Sequence, residues 1–187
     1  MNVNFVIERV KKILLQPKQE WREIEREAYS VQEIYTKYAM TVAAIPAIAS
    51  FVGWSFAGVP IGIGIAHLIL EYVLSLALVF VMGLVIDALA PKFDGQKDPM
   101  QALKVAVFSS TAMWVAGIFA LIPALSILAL VGLYSLYLLY LGLPLLMKVP
   151  EDKALPYTAV VIVIGIAIWV LIAGAAALTI PGKLRGF

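Results

Sequence analysis

Cysteine is absent from the 187 residues, and histidine occurs once. No disulfide framework, iron–sulfur cluster or thiol chemistry is available to such a chain. A histidine-rich metal site or a HExxH zinc motif cannot be built either. Charge is scarce: 14% of the residues are Asp, Glu, Lys or Arg, against about 25% in an ordinary soluble domain. Neither the Gly-x-Ser-x-Gly elbow nor the GxxxxGK[ST] phosphate loop occurs. Gly62-Ile63-Gly64 lies in an apolar run, without the strand–turn–helix context of a dinucleotide site. The expectation is a chain that is not an enzyme and holds no cofactor and no metal.

What is present is apolar surface. Hydrophobic residues make up 63% of the chain, against about 45–50% in soluble proteins, and the mean hydropathy is +0.96. A soluble domain of this size has too little interior to hide so much. A soluble globular domain, a disordered chain and a nucleic-acid-binding module are excluded. The composition implies an all-α integral membrane protein whose first partner is the lipid bilayer.

Five stretches are long enough to cross about 30 Å of hydrocarbon, which takes about 20 helical residues. They fall at about 38–57, 60–89, 101–122, 124–147 and 156–180, making a five-span transmembrane domain over 38–180, with a short tail at 181–187. Pro46 predicts a kink in the first. The second, about 45 Å of helix, must tilt or project into an interface. A tight turn near Pro123 separates the third from the fourth. Gly165, Gly174 and Ala175 to Ala177 in the fifth permit close helix contact, within the chain or in a homo-oligomer. No inverted repeat of the kind found in many transporters is visible.

Residues 1–37 form a polar N-terminal segment. Val3, Val6, Ile7, Val10, Ile13 and Leu14 recur at steps of three and four, the period of an amphipathic helix, with Glu8, Arg9, Lys11 and Lys12 on the other face. Two placements are open. The helix lies in the membrane interface with its lysines toward anionic lipid headgroups, or it packs on the protein's own cytoplasmic ends. Pro17 closes it, and Trp21 and Ile24 anchor the charged stretch that follows. Ser30-Val31-Gln32-Glu33 predicts a capping box at the start of a helix running into the first span. No secretory signal opens the chain, so the first span is expected to remain as an uncleaved anchor.

Basic residues set the expected orientation. Arg9, Lys11, Lys12, Lys18, Arg22, Arg26 and Lys37 precede the first span. Lys92, Lys97 and Lys104 follow the second, Lys148 and Lys153 the fourth, and Lys183 and Arg185 the fifth. With the N-terminus cytoplasmic, twelve lie inside and two outside, so the positive-inside rule predicts N-in, C-out.

Ionisable groups in lipid cost about 2.5–3.5 kcal/mol on insertion scales, so each needs a reason. His67 and Glu71 are four apart on one face of the second span. They read either as a proton-linked or cation-binding pair, or as a hydrogen-bonded pair that fixes packing. Asp87 lies about 24 Å further along the same helix, at the depth of Lys104. An Asp87–Lys104 pair between antiparallel neighbours is one arrangement; the other has Lys104 snorkelling and Asp87 at a helix end. Tyr134, Tyr137 and Tyr140 in the fourth span either line a polar groove reaching His67 and Glu71 or pack in the core. Ser109, Ser110 and Thr111 in the third offer hydroxyls to neighbours or to their own carbonyls. Pro91-Lys92-Phe93-Asp94-Gly95 reads as a turn with Asp94-Gly95 at the left-handed position, and lacks the acidic spacing of a calcium loop.

Several strings carry a family likeness: Leu89-Ala90-Pro91-Lys92-Phe93-Asp94-Gly95, Ala102-Leu103-Lys104-Val105-Ala106, and Ser110-Thr111-Ala112-Met113-Trp114-Val115-Ala116-Gly117. The most specific runs from Gly132-Leu133-Tyr134-Ser135-Leu136-Tyr137 through Leu138-Leu139-Tyr140-Leu141-Gly142-Leu143-Pro144 to Met147-Lys148 and Pro150. With the Pro17, Trp21, Ile24 pattern, the chain resembles the Yip (Ypt/Rab-interacting-protein) family over nearly its whole length, above all its prokaryotic inner-membrane branch. The resemblance implies a five-span inner-membrane protein with a cytoplasmic N-terminal segment and brings no defined activity. Ala112 stands where the branch often has proline. The eukaryotic Asp-Leu-Tyr-Gly-Pro signature is missing, so Rab binding does not carry over. The expected function is that of a membrane-organising or interaction protein with itself or other membrane proteins. The alternatives are a small transporter or channel using His67 and Glu71, and a lipid-binding or lipid-moving protein.

Overall fold

A computed structural model describes residues 3–179, with the side chains of Pro123, Ser126 and residues 173–179 outside the description. The tail at 181–187, with Lys183 and Arg185, and the side chains of Ala175 to Ala177 lie outside the described residues. Among the described residues all regular structure is helical. Helices α1 (Val3–Leu15) and α2 (Pro17–Arg26) form a hairpin. The first span follows as α3 (Val31–Ile34), a π-helical turn (Tyr35–Ala39) and α4 (Met40–Phe56), and the second is α5 (Ile61–Leu89). The third is α6 (Pro99–Ser109), α7 (Thr111–Ala116) and a 3-10 turn (Gly117–Leu121). The fourth is a 3-10 helix (Pro123–Leu133) leading into α8 (Tyr134–Leu146), and the fifth is α9 (Glu151–Thr179). Five helical stretches are long and apolar enough to cross a membrane, Val31–Phe56, Ile61–Phe93, Pro99–Leu121, Ile127–Leu146 and Glu151–Ile172. The chain is an all-α integral membrane protein.

Local chemistry explains the element boundaries. The Ser30 hydroxyl accepts from the Glu33 amide at 3.2 Å, and the Glu33 carboxylate accepts from the Ser30 amide at 3.0 Å. This capping box starts a helix that runs without a break into the first span. Asp98 caps α6 by accepting from the amides of Met100 and Gln101, each at 3.0 Å. Ile122 is extended, at φ −127° and ψ 106°, as the residue before a proline tends to be, and it is the turn between spans three and four. The flanking 3-10 segments were not expected, since runs longer than three or four residues are uncommon. In the α5–α6 connection Asp94 takes the left-handed position at φ 58°. Gly95 serves close approach instead: a Cβ there would lie 2.6 Å from Val149 Cγ2 and 2.8 Å from the Met147 carbonyl oxygen.

The third span is the centre of the bundle. From Ala102 to Ser109 every residue is buried, and hydroxyls tie the next turns to other spans. Thr111 and Tyr38 share a hydrogen bond of 2.8 Å, the Trp114 indole donates to Ser75 Oγ at 2.8 Å, and Ser135 Oγ accepts from the Met113 amide at 2.9 Å. Ser109 and Ser110 instead bond back to the Ala106 carbonyl.

Of the two placements open for the N-terminal helix, the structure has it packed on the protein, and alongside the bundle instead of across its end. Helix α1 contacts α7, and α2 lies along α8. The Trp21 ring fills the space over Gly142, where a Cβ would come within 2.7 Å of it. The Tyr134 hydroxyl donates to the Leu14 carbonyl at 3.2 Å. Tyr134 is about 18 Å from Leu146 along the helix, so the hairpin descends well beside the span. Glu25 is paired with Lys148, and the Gln96 amide donates to Met147. The open end of the hairpin, the α5–α6 connection and the α8–α9 turn therefore share one end of the bundle.

Candidate functional site

The hairpin is held by buried charges, among them Arg9, which the periodicity places on the polar face. Arg9 is 7% exposed and Glu20 2%. The Arg9 guanidinium donates to Glu20 at 2.5 Å and to both Glu27 oxygens, at 2.6 and 2.8 Å. It also lies over the Phe5 and Phe108 rings, 5.3 and 5.8 Å from their centroids. Tyr29 completes the cluster by donating to Glu27 at 2.8 Å. Burial pushes the Glu20 carboxyl up, with the Arg9 charge opposing. Burial, then the bond to Glu27, pushes the Tyr29 phenol up. Each charged group in the cluster has a hydrogen-bonded partner that offsets the cost of its burial.

Lys104 does not pair with Asp87. Its side chain is 2% exposed, and its ammonium donates to the carbonyls of Ile24 at 2.8 Å, Glu25 at 3.2 Å and Glu27 at 2.6 Å, and to Gln101 Oε1 at 3.2 Å. Those carbonyls are the ones α2 leaves open at its C-terminus, the negative end of its dipole. Lys104 neither snorkels nor bridges spans two and three; it caps the hairpin. Asp87 Oδ1 is buried and makes no hydrogen bond among the described residues.

His67 and Glu71 do meet. His67 Nδ1 lies 3.5 Å from Glu71 Oε2, with side chains 39% and 29% exposed. The Trp54 ring covers His67 at a centroid distance of 4.1 Å, which puts the pair at the seam of α4 and α5. Glu71 Oε2 is buried without a hydrogen bond among the described residues.

The three tyrosines do not gather at that pair. Tyr134 reaches α1, its ring 5.4 Å from that of Tyr137. Tyr137 and Tyr140 are 41% and 40% exposed on the outer side of α8. Helix α8 packs against α2, α6 and α9, and α5 against α4, α6 and α9. An apolar groove of about 420 Å³ lies between Met113, Ile127, Ala129, Leu130, Gly132 and Leu133, away from every ionisable candidate.

Arg9, Glu20 and Glu27 escaped the sequence reading although a signal existed. Arg9 falls three residues after Val6 and four before Ile13, inside the apolar stripe, and Glu20 precedes Ile24 by four. Opposite charges placed within two facing stripes mark a buried pair between the helices.

The Yip1 domain family matches residues 11–172. The chain belongs to the Yip1 family. Inner membrane protein YohC of Escherichia coli strain K12 is 31% identical over 166 residues, covering 81% of this chain and 85% of that protein. Inner membrane protein YohC of E. coli O6:H1 (strain CFT073) matches equally, at 31% over 166 residues. No solved structure matches. The Yip1 match begins inside α1, at residue 11, so it covers α2 and the end of α1 and leaves Arg9 outside.

Proposed function

We propose that the protein is a non-catalytic membrane-organising protein of the inner membrane, with its N-terminus and hairpin on the cytoplasmic side. The observation that carries this reading is the hairpin clamped by Arg9, Glu20, Glu27 and Lys104, which makes one end of the bundle wider by two helices. Each helix with its side chains is about 10 Å across, so this end takes more lateral space than the other. A wide, fixed collar suits contact with other membrane proteins and with the lipids of one leaflet. The inward count of basic residues supports the orientation.

Site-specific photocrosslinking from exposed hairpin positions in native membranes tests the reading. Reproducible adducts to a second copy or to particular membrane proteins are expected; adducts to lipid alone, with a single copy by native mass spectrometry, would overturn it. The competing transporter reading draws on the unsatisfied Glu71 Oε2 beside His67. Liposome flux of protons or small cations that disappears in the H67A/E71Q variant would favour it.

A further inference from the structure

The outward face of α2 carries one sign of charge. Lys18, Arg22 and Arg26 are exposed and follow at four-residue steps along α2, forming a single row about 12 Å long. On α1, Lys11 and Glu8 are both exposed, three residues apart. Lys18, Arg22 and Arg26 have no carboxylate partner among the described residues. The acids on and just after α2 are engaged elsewhere: Glu20 and Glu27 with Arg9, Glu25 with Lys148, and Glu23 with Lys12. On α1, Ile7, Lys11 and Leu15 form a second four-residue row. Leu15, at the tip, is 78% exposed.

The level of this face in the membrane follows from its neighbours. Tyr137 and Tyr140 are exposed on α8 between Tyr134, which bonds Leu14, and Gly142, which packs on Trp21. Exposed tyrosines near the end of a span mark the headgroup belt. Helix α5 has 29 residues, about 44 Å, some 14 Å more than the hydrocarbon thickness. A collar of roughly that height therefore stands in the headgroup layer, with the hairpin in it.

We propose that Lys18, Arg22 and Arg26 form a binding face for anionic phospholipid headgroups, with Leu15 seated among the acyl chains below. This extends the organising role to one lipid class. It rests on the same placement of this end at a membrane surface, and does not depend on protein–protein contact. Each cation near an anionic surface strengthens attraction roughly fivefold, so a three-cation face discriminates strongly against zwitterionic lipid.

The test uses the full-length protein in mixed micelles containing phosphatidylglycerol or phosphatidylcholine. Phosphatidylglycerol is expected to raise the melting midpoint above that in phosphatidylcholine, and added salt to reduce the difference. The difference should vanish in K18Q/R22Q/R26Q and persist in K92Q/K97Q/K153Q, which removes the same number of cations from other loops. Equal midpoints for wild type in the two lipids, or a full shift in the hairpin variant, would overturn the proposal. Native mass spectrometry of the wild type gives a measure that needs no variant: retention of no more phosphatidylglycerol than phosphatidylcholine also overturns it. A lipid shift without protein crosslinks would remove the protein-contact reading and leave the lipid face standing.

Discussion

Arg9 shows how one side chain commits the N-terminal segment to the bundle. Replacing it with methionine keeps much of the volume and leaves Glu20 buried without its partner. Breaking a buried pair in this way costs about 3–5 kcal/mol, so R9M should melt well below wild type in detergent. The R9M/E20Q double variant should regain part of the loss, because the fully buried charge of Glu20 is then gone and the half-exposed Glu27 keeps its bond from Tyr29. Gly95 makes a second residue-scale case. A methyl there meets the Met147 carbonyl oxygen as well as a side chain, and backbone yields poorly. G95A should lose about 1–3 kcal/mol, while D94G, at the left-handed position, should hold or gain slightly. At this scale the sequence was partly legible. The Ser30–Glu33 cap and the contact of His67 with Glu71 follow from spacing alone. The partner of Lys104 does not, because backbone carbonyls carry no residue identity that a pattern can reveal.

Among elements, the hairpin stands apart from the spans in how it is held. Its apolar contact with α8 depends on the bare surface of Gly142 beneath Trp21. G142L should force the ring away and release the hairpin while the spans remain folded. Limited proteolysis should then cut near Gln16 in G142L and not in wild type, and an unchanged cleavage pattern would show that α2 is held by its charges alone. Helix positions were readable from apolar period and length, and so was continuity from the capping box into the first span. Helix type was not. Leu, Ile and Ala fill Pro123–Leu133 as they fill α9, and local propensity favours α for both. The lateral docking of the hairpin was also hidden, because an amphipathic stripe fits a lipid surface and a protein groove equally well.

For the whole molecule, the absence of cysteine turns into a tool. A single cysteine at Ser30 or at Val59, on opposite sides of the first span, reports topology without background. Ser30→Cys should react with a membrane-impermeant thiol reagent only after the cytoplasmic side is opened, and Val59→Cys in intact cells. The reverse pattern would invert the proposed orientation. Composition made the membrane class legible, and run lengths gave the number of spans. Contacts between distant segments, such as those joining α2 to α8 and α6, needed the fold.

The 3-10 stretch at Pro123–Leu133 has a consequence for the height of the bundle. A residue rises about 2.0 Å in a 3-10 helix and about 1.5 Å in an α-helix. The eleven 3-10 residues with the thirteen of α8 therefore reach about 42 Å, close to the roughly 44 Å that α5 and α9 each cover with twenty-nine. Stretching the backbone lets a span with fewer residues stand as tall as its neighbours. The hairpin, which lies along α8, thus packs against a wall that is not cut short by the smaller residue count of the fourth span.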